Sequence, residues 1–310
     1  MNNNYSLAIH GGAGTILPEH LTPEKEKSYH EALAEALFEG EKILKGEGSS
    51  LDAVERAVQV LEDCPLFNAG KGSVYGNNGI HETEASIMYG KGLQAGAAAG
   101  LQHIKNPISL AKKVLLAEDF VYLIGEGAET FAKQEGMEFV DQEYFHTEER
   151  YLQWQAAMGS DKVVLDHDGE RKFGTVGAVA LDLNGNLAAA TSTGGLTNKR
   201  FGRLGDSSVV GSGTYANNDT CAISCTGYGE YFLRAVVAYD ISAMMEYGGL
   251  SLTEACDKVV KDKLVKMQGE GGVIAVDAKG NIDLCFNSAG MYRGAVSSNL
   301  EAFTAIYDKK

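Results

Sequence analysis

The strongest constraint on this chain is a strand rhythm that occurs twice, in Gly177-Ala-Val-Ala-Leu-Asp-Leu-Asn-Gly-Asn-Leu187 and Gly272-Val-Ile-Ala-Val-Asp-Ala-Lys-Gly-Asn-Ile282. Each segment sets short apolar runs on either side of a turn, Asn184-Gly185 or Lys279-Gly280, whose residues tolerate positive φ, so each predicts a β-hairpin. Tyr5 to Ile9 alternates toward another apolar strand and runs straight into His10-Gly11-Gly12-Ala13-Gly14. That glycine stretch reads as a tight turn packed near the functional site. It lacks the Lys-Ser/Thr of a phosphate-binding loop and the full GxGxxG spacing.

Helical periodicity fills the spaces between the strands. Thr22 as N-cap and Pro23 at the first helical position open a helix whose inward face is Tyr29, Leu33, Leu37, Gly40 and Leu44. A second helix starts near Ser49 or Ser50, with Val54, Ala57, Val58 and Leu61 as its stripe. Asn106-Pro107 opens a third by the same capping logic, with Leu110, Val114 and Leu115 inward. Gly229 to Tyr247 predicts one further helix, packed through Phe232, Val236, Tyr239 and Met244, and Leu252 to Val265 another. Strands gathered in two groups with helix pairs between them predict antiparallel sheets covered by helices rather than a parallel βαβ array.

From about Asp141 to Phe173 this patterning dissolves. A weak helical signal at Tyr151 to Met158 gives way to Gly159-Ser160-Asp161-Lys162 and His167-Asp168-Gly169-Glu170-Arg171-Lys172. That is the composition of an exposed linker or processing segment. It ends at Gly174-Thr175, where an apolar strand begins.

Charge narrows the range of partners. With 42 acidic against 27 basic side chains the formal charge is −15, which repels nucleic acid and anionic lipid surfaces. No targeting segment is visible at the amino terminus, and no apolar run approaches the roughly 18 residues of a membrane span. A soluble, cytoplasmic protein is expected. Cys64, Cys221, Cys225, Cys256 and Cys285 are odd in number and lack metal-ligand spacing, so they read as reduced and mostly buried thiols. Cys221 and Cys225 flank a strand with no histidine nearby and read as core. His30, His81, His103 and His146 show no HxxxH or carboxylate spacing and are assigned no role.

The chemistry centres on Gly174-Thr175. A threonine hydroxyl is a weak nucleophile until a base sits beside it, and one solution is the free α-amine of the same residue once it becomes N-terminal. Such an amine has a pKa of about 7.7–8.0 and accepts a proton near neutral pH. A Gly-Thr bond between an exposed linker and a buried strand is the arrangement self-cleavage needs, and glycine leaves room for hydroxyl attack.

The ordered blocks Gly174-Thr-Val-Gly-Ala-Val-Ala-Leu-Asp182, Ala190-Thr-Ser-Thr-Gly-Gly195, Gly202-Arg-Leu-Gly-Asp206 and Ser224-Cys-Thr-Gly-Tyr-Gly229 resemble the plant-type asparaginase, or isoaspartyl peptidase, family of N-terminal-nucleophile hydrolases. His10 to Gly14 and Cys64-Pro-Leu-Phe-Asn-Ala-Gly-Lys-Gly-Ser73 extend the resemblance over nearly the whole chain. It implies an α+β fold, a four-layer αββα sandwich built as one domain from residues 1–310. It also implies self-cleavage into an α chain, 1–174, carrying the linker at about 141–174, and a β chain, 175–310. Two such αβ units would form the assembly.

Residue by residue, the resemblance implies that Thr175 attacks the substrate's side-chain carbonyl after the Gly174-Thr175 bond has cleaved. Thr193 would orient the Thr175 hydroxyl, and Thr226 with the Gly227 N–H would form the oxyanion hole. Arg203 would clamp the α-carboxylate and Asp206 the α-ammonium, with Leu204, Gly205, Tyr228 and Gly229 completing the substrate site. These roles suit L-asparagine and β-aspartyl dipeptides, which share an α-amino-acid head and differ in the group leaving the β-carbonyl. No cofactor is expected for catalysis. The family's structural sodium ion would fall on the backbone carbonyls of Leu61, Glu62, Cys64, Phe67, Ala69 and Lys71.

Two departures stand out. Glu84 replaces the family's usual aspartate and shifts a contact behind the site, and Tyr228, bulkier than threonine or serine, is expected to narrow the leaving-group pocket. Two other readings remain open at this level. One is a glycosylasparaginase, which the absence of a signal peptide and disulfides disfavours. The other is a non-catalytic small-molecule binding module that never cleaves.

Overall fold

Both hairpins form in a computed structural model that describes residues 4–158 and 174–308. Ahead of the first come β1 (Ser6–Gly14), α1 (Pro23–Lys45), α2 (Ser50–Asp63), β2 (Thr83–Tyr89), β3 (Gln94–Leu101), α3 (Pro107–Ala117), β4 (Tyr122–Ile124), α4 (Gly125–Gln134) and α5 (Glu148–Met158). The first hairpin is β5 (Val176–Leu181) with β6 (Leu187–Thr193). Then β7 (Thr214–Ala216), β8 (Cys221–Gly227), α6 (Gly229–Ala235), α7 (Val237–Glu246), α8 (Leu252–Asp257) and α9 (Leu264–Lys266) lead to the second, β9 (Gly271–Asp277) with β10 (Ile282–Phe286). The strands β11 (Gly290–Ser297) and β12 (Leu300–Ala305) follow.

The hairpin turns are longer than a two-residue loop. Asp182 pairs with Asn186 and Asp277 with Asn281, and within each loop only the glycine has positive φ, 79° at Gly185 and 87° at Gly280. The aspartates close the loops. Asp182 Oδ1 accepts from the N–H groups of Asn184 and Asn186, and Asp277 Oδ1 from those of Lys279 and Asn281.

The strands make two sheets, one of eight in the order β12-β11-β1-β5-β6-β2-β3-β4 and one of four in the order β10-β9-β8-β7. The antiparallel expectation fails at one edge, where β3 and β4 pair in parallel. The intervening α3 is the reason, since it carries the chain back so that β4 runs in the direction of β3.

Both faces of the larger sheet are covered, which explains its unbroken apolar runs. Successive residues alternate between two cores. Ala8, Val179, Leu181, Leu187 and Ala189 share a cluster with Ile223, Cys225 and Val273 of the smaller sheet. Leu7, Ile9, Ala178, Ala180, Ala188 and Ala190 instead meet Leu33, Leu37, Val54, Ala57, Val58 and Leu61 of α1 and α2. The smaller sheet shares its cluster with Phe232, Ile241, Leu252, Val259 and Leu264 of the later helices.

The helix starts follow their caps with one exception. Thr22 accepts from Lys25 N–H and Ser49 from Asp52 N–H, and the expected inward faces of α1 to α3 are all buried. Asn106, however, does not cap α3. Its amide donates to Glu62 and Asp63, and Glu62 Oε1 accepts the Ile108 N–H instead. A carboxylate from the neighbouring helix therefore supplies the cap.

Three further expectations change. The single helix from Gly229 to Tyr247 is broken at Val236, which takes a left-handed conformation (φ 50°, ψ 49°), so Val236 and Tyr239 stay exposed while Phe232 is buried. By contrast α8 and α9 run continuously through a π-helical turn at Lys258–Lys263, as periodicity from Leu252 to Val265 predicts. The glycines after His10 do not turn but extend β1, with a register shift between His10 and Gly12.

Residues 141–158, read as the start of an exposed linker, are instead docked on the body. Phe145 and Arg150 are buried, Arg150 Nε donates to the Gly72 carbonyl, and Tyr75 stacks on Trp154 and bonds His146. Aromatic burial outweighs the polar composition there. The rest of the expected linker, residues 159–173, lies outside the described residues. All five cysteines are free, with Cys64 half-buried and the other four buried. Among the described residues no helix is long and apolar enough to cross a membrane.

Candidate active site

The register of the first hairpin builds the site. Val176 lies opposite Ser192, so Thr175, just before β5, and Thr193, at the end of β6, fall side by side. Thr175 Oγ donates to Thr193 Oγ at 3.2 Å, and Thr193 Oγ donates to the Gly174 carbonyl at 3.0 Å. Asn68 Nδ2 donates to the same carbonyl at 2.9 Å and to the Gly195 carbonyl at 2.7 Å, while its Oδ1 accepts the Val74 N–H at 3.0 Å. Those bonds fix the orientation of the amide. The carbonyl on the N-terminal side of the Gly174-Thr175 bond therefore takes two donors, with a buried hydroxyl one residue away.

His10 supports the next peptide along. Its Nδ1 lies 3.1 Å from the Thr175 carbonyl and its Nε2 2.9 Å from Ser224 Oγ. Burial pushes its pKa down to about 3, the Thr175 contact opposing only in part, so the ring is neutral. At the end of β8, buried Thr226 accepts the Ala13 N–H at 3.2 Å, a bond that does not use its own O–H.

A second group of charges lies across a small cavity. Arg203 Nε and Nη2 grip Glu230 at 2.9 and 2.8 Å, which leaves the Nη1 side of the guanidinium free of that pair. Asp206 is buried, with no partner for Oδ2 among the described residues. Burial pushes its carboxyl up to about 7, against its own backbone amide and the Arg203 charge. A Cβ on Gly229 would sit 2.9 Å from both Arg203 Nη2 and Asp206 Oδ1, so the closeness of chain and charges requires glycine there. Glu84 is buried and accepts from the Gly205 N–H at 3.1 Å and Ser208 Oγ at 2.6 Å. The longer carboxylate thus anchors the loop that carries Asp206.

Gly174, Thr175, Thr193, Gly195, Leu196, Arg203, Gly205, Asp206, Ser207, Gly227 and Gly229 line the cavity. Leu204, Thr226 and Tyr228, expected in the substrate site, do not line it. Tyr228 is the residue at which the chain enters α6, and its ring packs 5.2 Å from Tyr231. Asn68, His10, Ser224, Glu84 and Glu230 are contributors that the residue-by-residue reading assigned no role in catalysis. Asn68, His10 and Ser224 stand inside the motifs that carry the resemblance, but an amide, an imidazole or a hydroxyl acquires a role only from what the fold sets beside it.

The loop after α2 carries the carbonyls of Leu61, Glu62, Cys64, Phe67, Ala69 and Lys71. Those of Leu61, Cys64 and Ala69 accept backbone N–H groups at 3.3–3.4 Å. A Cβ on Gly72 would lie 2.1 Å from the Phe67 oxygen and 2.6 Å from that of Pro65, and one on Gly70 2.4 Å from the Glu62 oxygen. Gly70 and Gly72 thus each pass close to carbonyl oxygens of this loop, an approach that a side chain would block. Among the described residues no cluster of His, Cys, Asp or Glu has metal-binding form. The histidines given no role are all tied to neighbours, His30 to Thr304, His81 to the Ser73 carbonyl, His103 to Glu129 and His146 to Tyr75.

A family model described as asparaginase matches residues 3–306. The chain is similar to the isoaspartyl peptidase of Escherichia coli strain K12, 52% identical over 309 residues that cover 98% of this chain and 96% of that one. It is 41% identical over 294 residues to the isoaspartyl peptidase/L-asparaginase of Mus musculus, covering 94% and 88%. To the plant-type L-asparaginase of Pyrococcus abyssi it is 40% identical over 300 residues, covering 92% and 94%.

Proposed function

The chain belongs to the asparaginase family, and from that premise we propose that it is an isoaspartyl peptidase and L-asparaginase: a self-cleaving threonine amidohydrolase that converts L-asparagine to L-aspartate and ammonia and removes N-terminal β-aspartyl residues from dipeptides. The observation that carries the mechanism is the Gly174 carbonyl held by Asn68 and Thr193 beside the Thr175 hydroxyl.

That geometry supports maturation by self-cleavage. Thr175 Oγ attacks the Gly174 carbonyl carbon, and the two donors stabilise the charge that develops on its oxygen. The C–N bond breaks, the acyl group passes to Oγ as an ester, and water hydrolyses the ester to leave a Gly174 carboxylate and a free Thr175 amine. In turnover that amine accepts the Oγ proton as Oγ attacks the substrate's side-chain carbonyl. Thr193 holds the hydroxyl, and Thr226 with the Gly227 N–H takes the oxyanion. The leaving nitrogen departs protonated, as ammonia or as the amine of a peptide, and water then releases L-aspartate. Arg203, through the edge that Glu230 leaves free, and Asp206 hold the α-carboxylate and α-ammonium.

The finer structural readings belong to the same proposal. The shared cores between helices and sheets support a four-layer αββα sandwich of the N-terminal-nucleophile type, and two αβ units form the cytoplasmic enzyme. The carbonyls after α2 suit a structural sodium ion, a hard cation that takes oxygen ligands, and it would brace the loop that carries Asn68.

Intact mass and turnover test the core of the proposal. The purified chain should resolve into two products, 1–174 and 175–310, and hydrolyse L-asparagine and β-aspartyl dipeptides in preference to glycosylated asparagine. Thr175→Ala should persist as a single 33.0 kDa chain without activity, while Thr175→Ser should cleave slowly. An alanine variant that still splits at this bond removes the mechanism.

A further inference from the structure

A buried line of side chains runs from the head-group loop to the nucleophile without touching the cavity. Ser86 Oγ lies 2.6 Å from the Ser207 carbonyl and 2.8 Å from Thr214 Oγ. Thr214 Oγ meets Thr191 Oγ at 2.5 Å, Thr191 Oγ meets Ser224 Oγ at 2.7 Å, and Ser224 Oγ meets His10 Nε2 at 2.9 Å. His10 Nδ1 closes the line on the Thr175 carbonyl at 3.1 Å. The four hydroxyl residues and His10 are fully buried. They come from five strands, β2, β7, β6, β8 and β1, so the line crosses between the sheets.

The fold makes room for this line at Gly177. His10 and Thr191 flank Gly177 in register on β1 and β6, and a Cβ there would lie 2.1 Å from Ser224 Oγ and 2.4 Å from His10 Nε2. The missing side chain is the hole into which Ser224 inserts from the facing sheet.

Proton counting gives the line a direction. Both ends are carbonyls, which only accept. The six links have five protons between them, one from each of four hydroxyls and one from the neutral imidazole. At least one link is therefore always empty. Thr191 Oγ can also donate to the Gly213 carbonyl at 3.2 Å and Thr214 Oγ to the Ser207 carbonyl at 3.4 Å, both longer than the contacts along the line. If Ser86 turns its proton to Thr214, each hydroxyl donates onward and His10 Nδ1–H grips the Thr175 carbonyl. If Ser86 donates to Ser207 and the line reverses, Nε2 carries the ring proton and the Thr175 carbonyl is released; because a carbonyl cannot take the Nδ1 proton, this exchange passes one proton out to water at Nδ1 and one in from water at Nε2 during a transient opening of the line. Ser207 directly follows Asp206, so a ligand head drawn onto Asp206 acts on the first link.

Resting on the assignment of Asp206 to the substrate head and Thr175 to catalysis, we infer that Ser86, Thr214, Thr191 and Ser224 are positioning residues that couple head-group binding, through the His10 tautomer, to the main chain of the nucleophile. None of the four touches substrate. Their effect falls on kcat rather than on KM.

The test uses the mature enzyme with ¹⁵N-labelled histidine, and L-aspartate as the probe. In the wild type L-aspartate should move His10 toward the Nδ1–H tautomer. Thr214→Val keeps the shape and cuts the line, so it should bind L-aspartate within about threefold of wild type by calorimetry and leave the ring signal unresponsive, whereas Thr214→Ser should restore the response. In turnover Thr214→Val should lower kcat by about tenfold with KM nearly unchanged, and Ser86→Ala combined with it should cost no more than either alone. A normal ring response in Thr214→Val, or losses that add in the double variant, overturns the inference. Failure of L-aspartate to bind the wild type sinks the head-group assignment instead. The relay then stands or falls on whether Thr214→Val alters the His10 tautomer of the ligand-free protein.

Discussion

Asp206 shows how one residue's surroundings set a measurable chemistry. Burial raises its carboxyl from an ordinary 3.8 to about 7, so in the empty site below neutral pH it carries a proton that an incoming α-ammonium must displace. L-aspartate binding near pH 6 should therefore release up to about one proton per ligand, seen by calorimetry in buffers of different ionisation heat. Because the folded pKa is raised, the ligand-free fold loses stability as pH climbs from 3.8 to about 7, and bound head group restores it. Asp206→Asn should abolish the proton release and weaken binding by roughly thirtyfold or more, the effect of leaving a charge unpaired. If proton release persists in that variant, another group titrates and the assignment is wrong. Arg203 is held differently, since Glu230 already occupies one edge of its guanidinium, and the ion pair that matters is not with its sequence neighbour Asp206.

At the scale of elements, the break between α6 and α7 concentrates the strain. Val236 is β-branched, sits at φ 50° and is 42% exposed, and a left-handed conformation costs such a residue about 1–2 kcal/mol. The side chain is too exposed to recover much of that by burial. Val236→Asn, which tolerates this region, should stabilise the uncleaved Thr175→Ala chain by about 1 kcal/mol in denaturant unfolding. A neutral or destabilising result would mean that the packing of Val236 beside Gly211 outweighs its backbone strain. Continuous periodicity from Gly229 to Tyr247 concealed this break, because an amphipathic stripe records spacing and not the dihedral angle at one residue.

Across the whole molecule, the order of the larger sheet decides what cleavage does. Reading β12-β11-β1-β5-β6-β2-β3-β4, β1 from residues before the Gly174-Thr175 bond lies between β11 and β5 from after it, and β2 pairs with β6. The smaller sheet falls wholly within 175–310, but neither product holds the larger sheet complete, and separation would leave open edges on both sides of it. The cleaved protein should run in native conditions as one unit or a multiple of it, while denaturing conditions give two chains. The separated chains should fail to refold alone and should recover activity only when mixed. A 175–310 fragment that folds and unfolds cooperatively by itself would contradict the interleaved core.

What the amino-acid sequence determined by itself is everything carried by short-range pattern: the two hairpins, the caps and inward faces of the first two helices, the buried thiols, and the Gly174-Thr175 junction with Thr193 two strands' length beyond. Each depends on spacing along the chain, or on a turn that one residue can close. Tertiary structure alone decided the parallel pairing of β4 and the docking of residues 141–158. It also set the Glu62 cap on α3, the Asn68 amide on the Gly174 carbonyl and the line from Ser86 to His10. These join residues far apart in sequence whose types are individually ordinary. An asparagine, a glutamate or a serine declares its partner only when the sheets stack and bring a carbonyl or a hydroxyl within about 3 Å, the range at which a hydrogen bond forms.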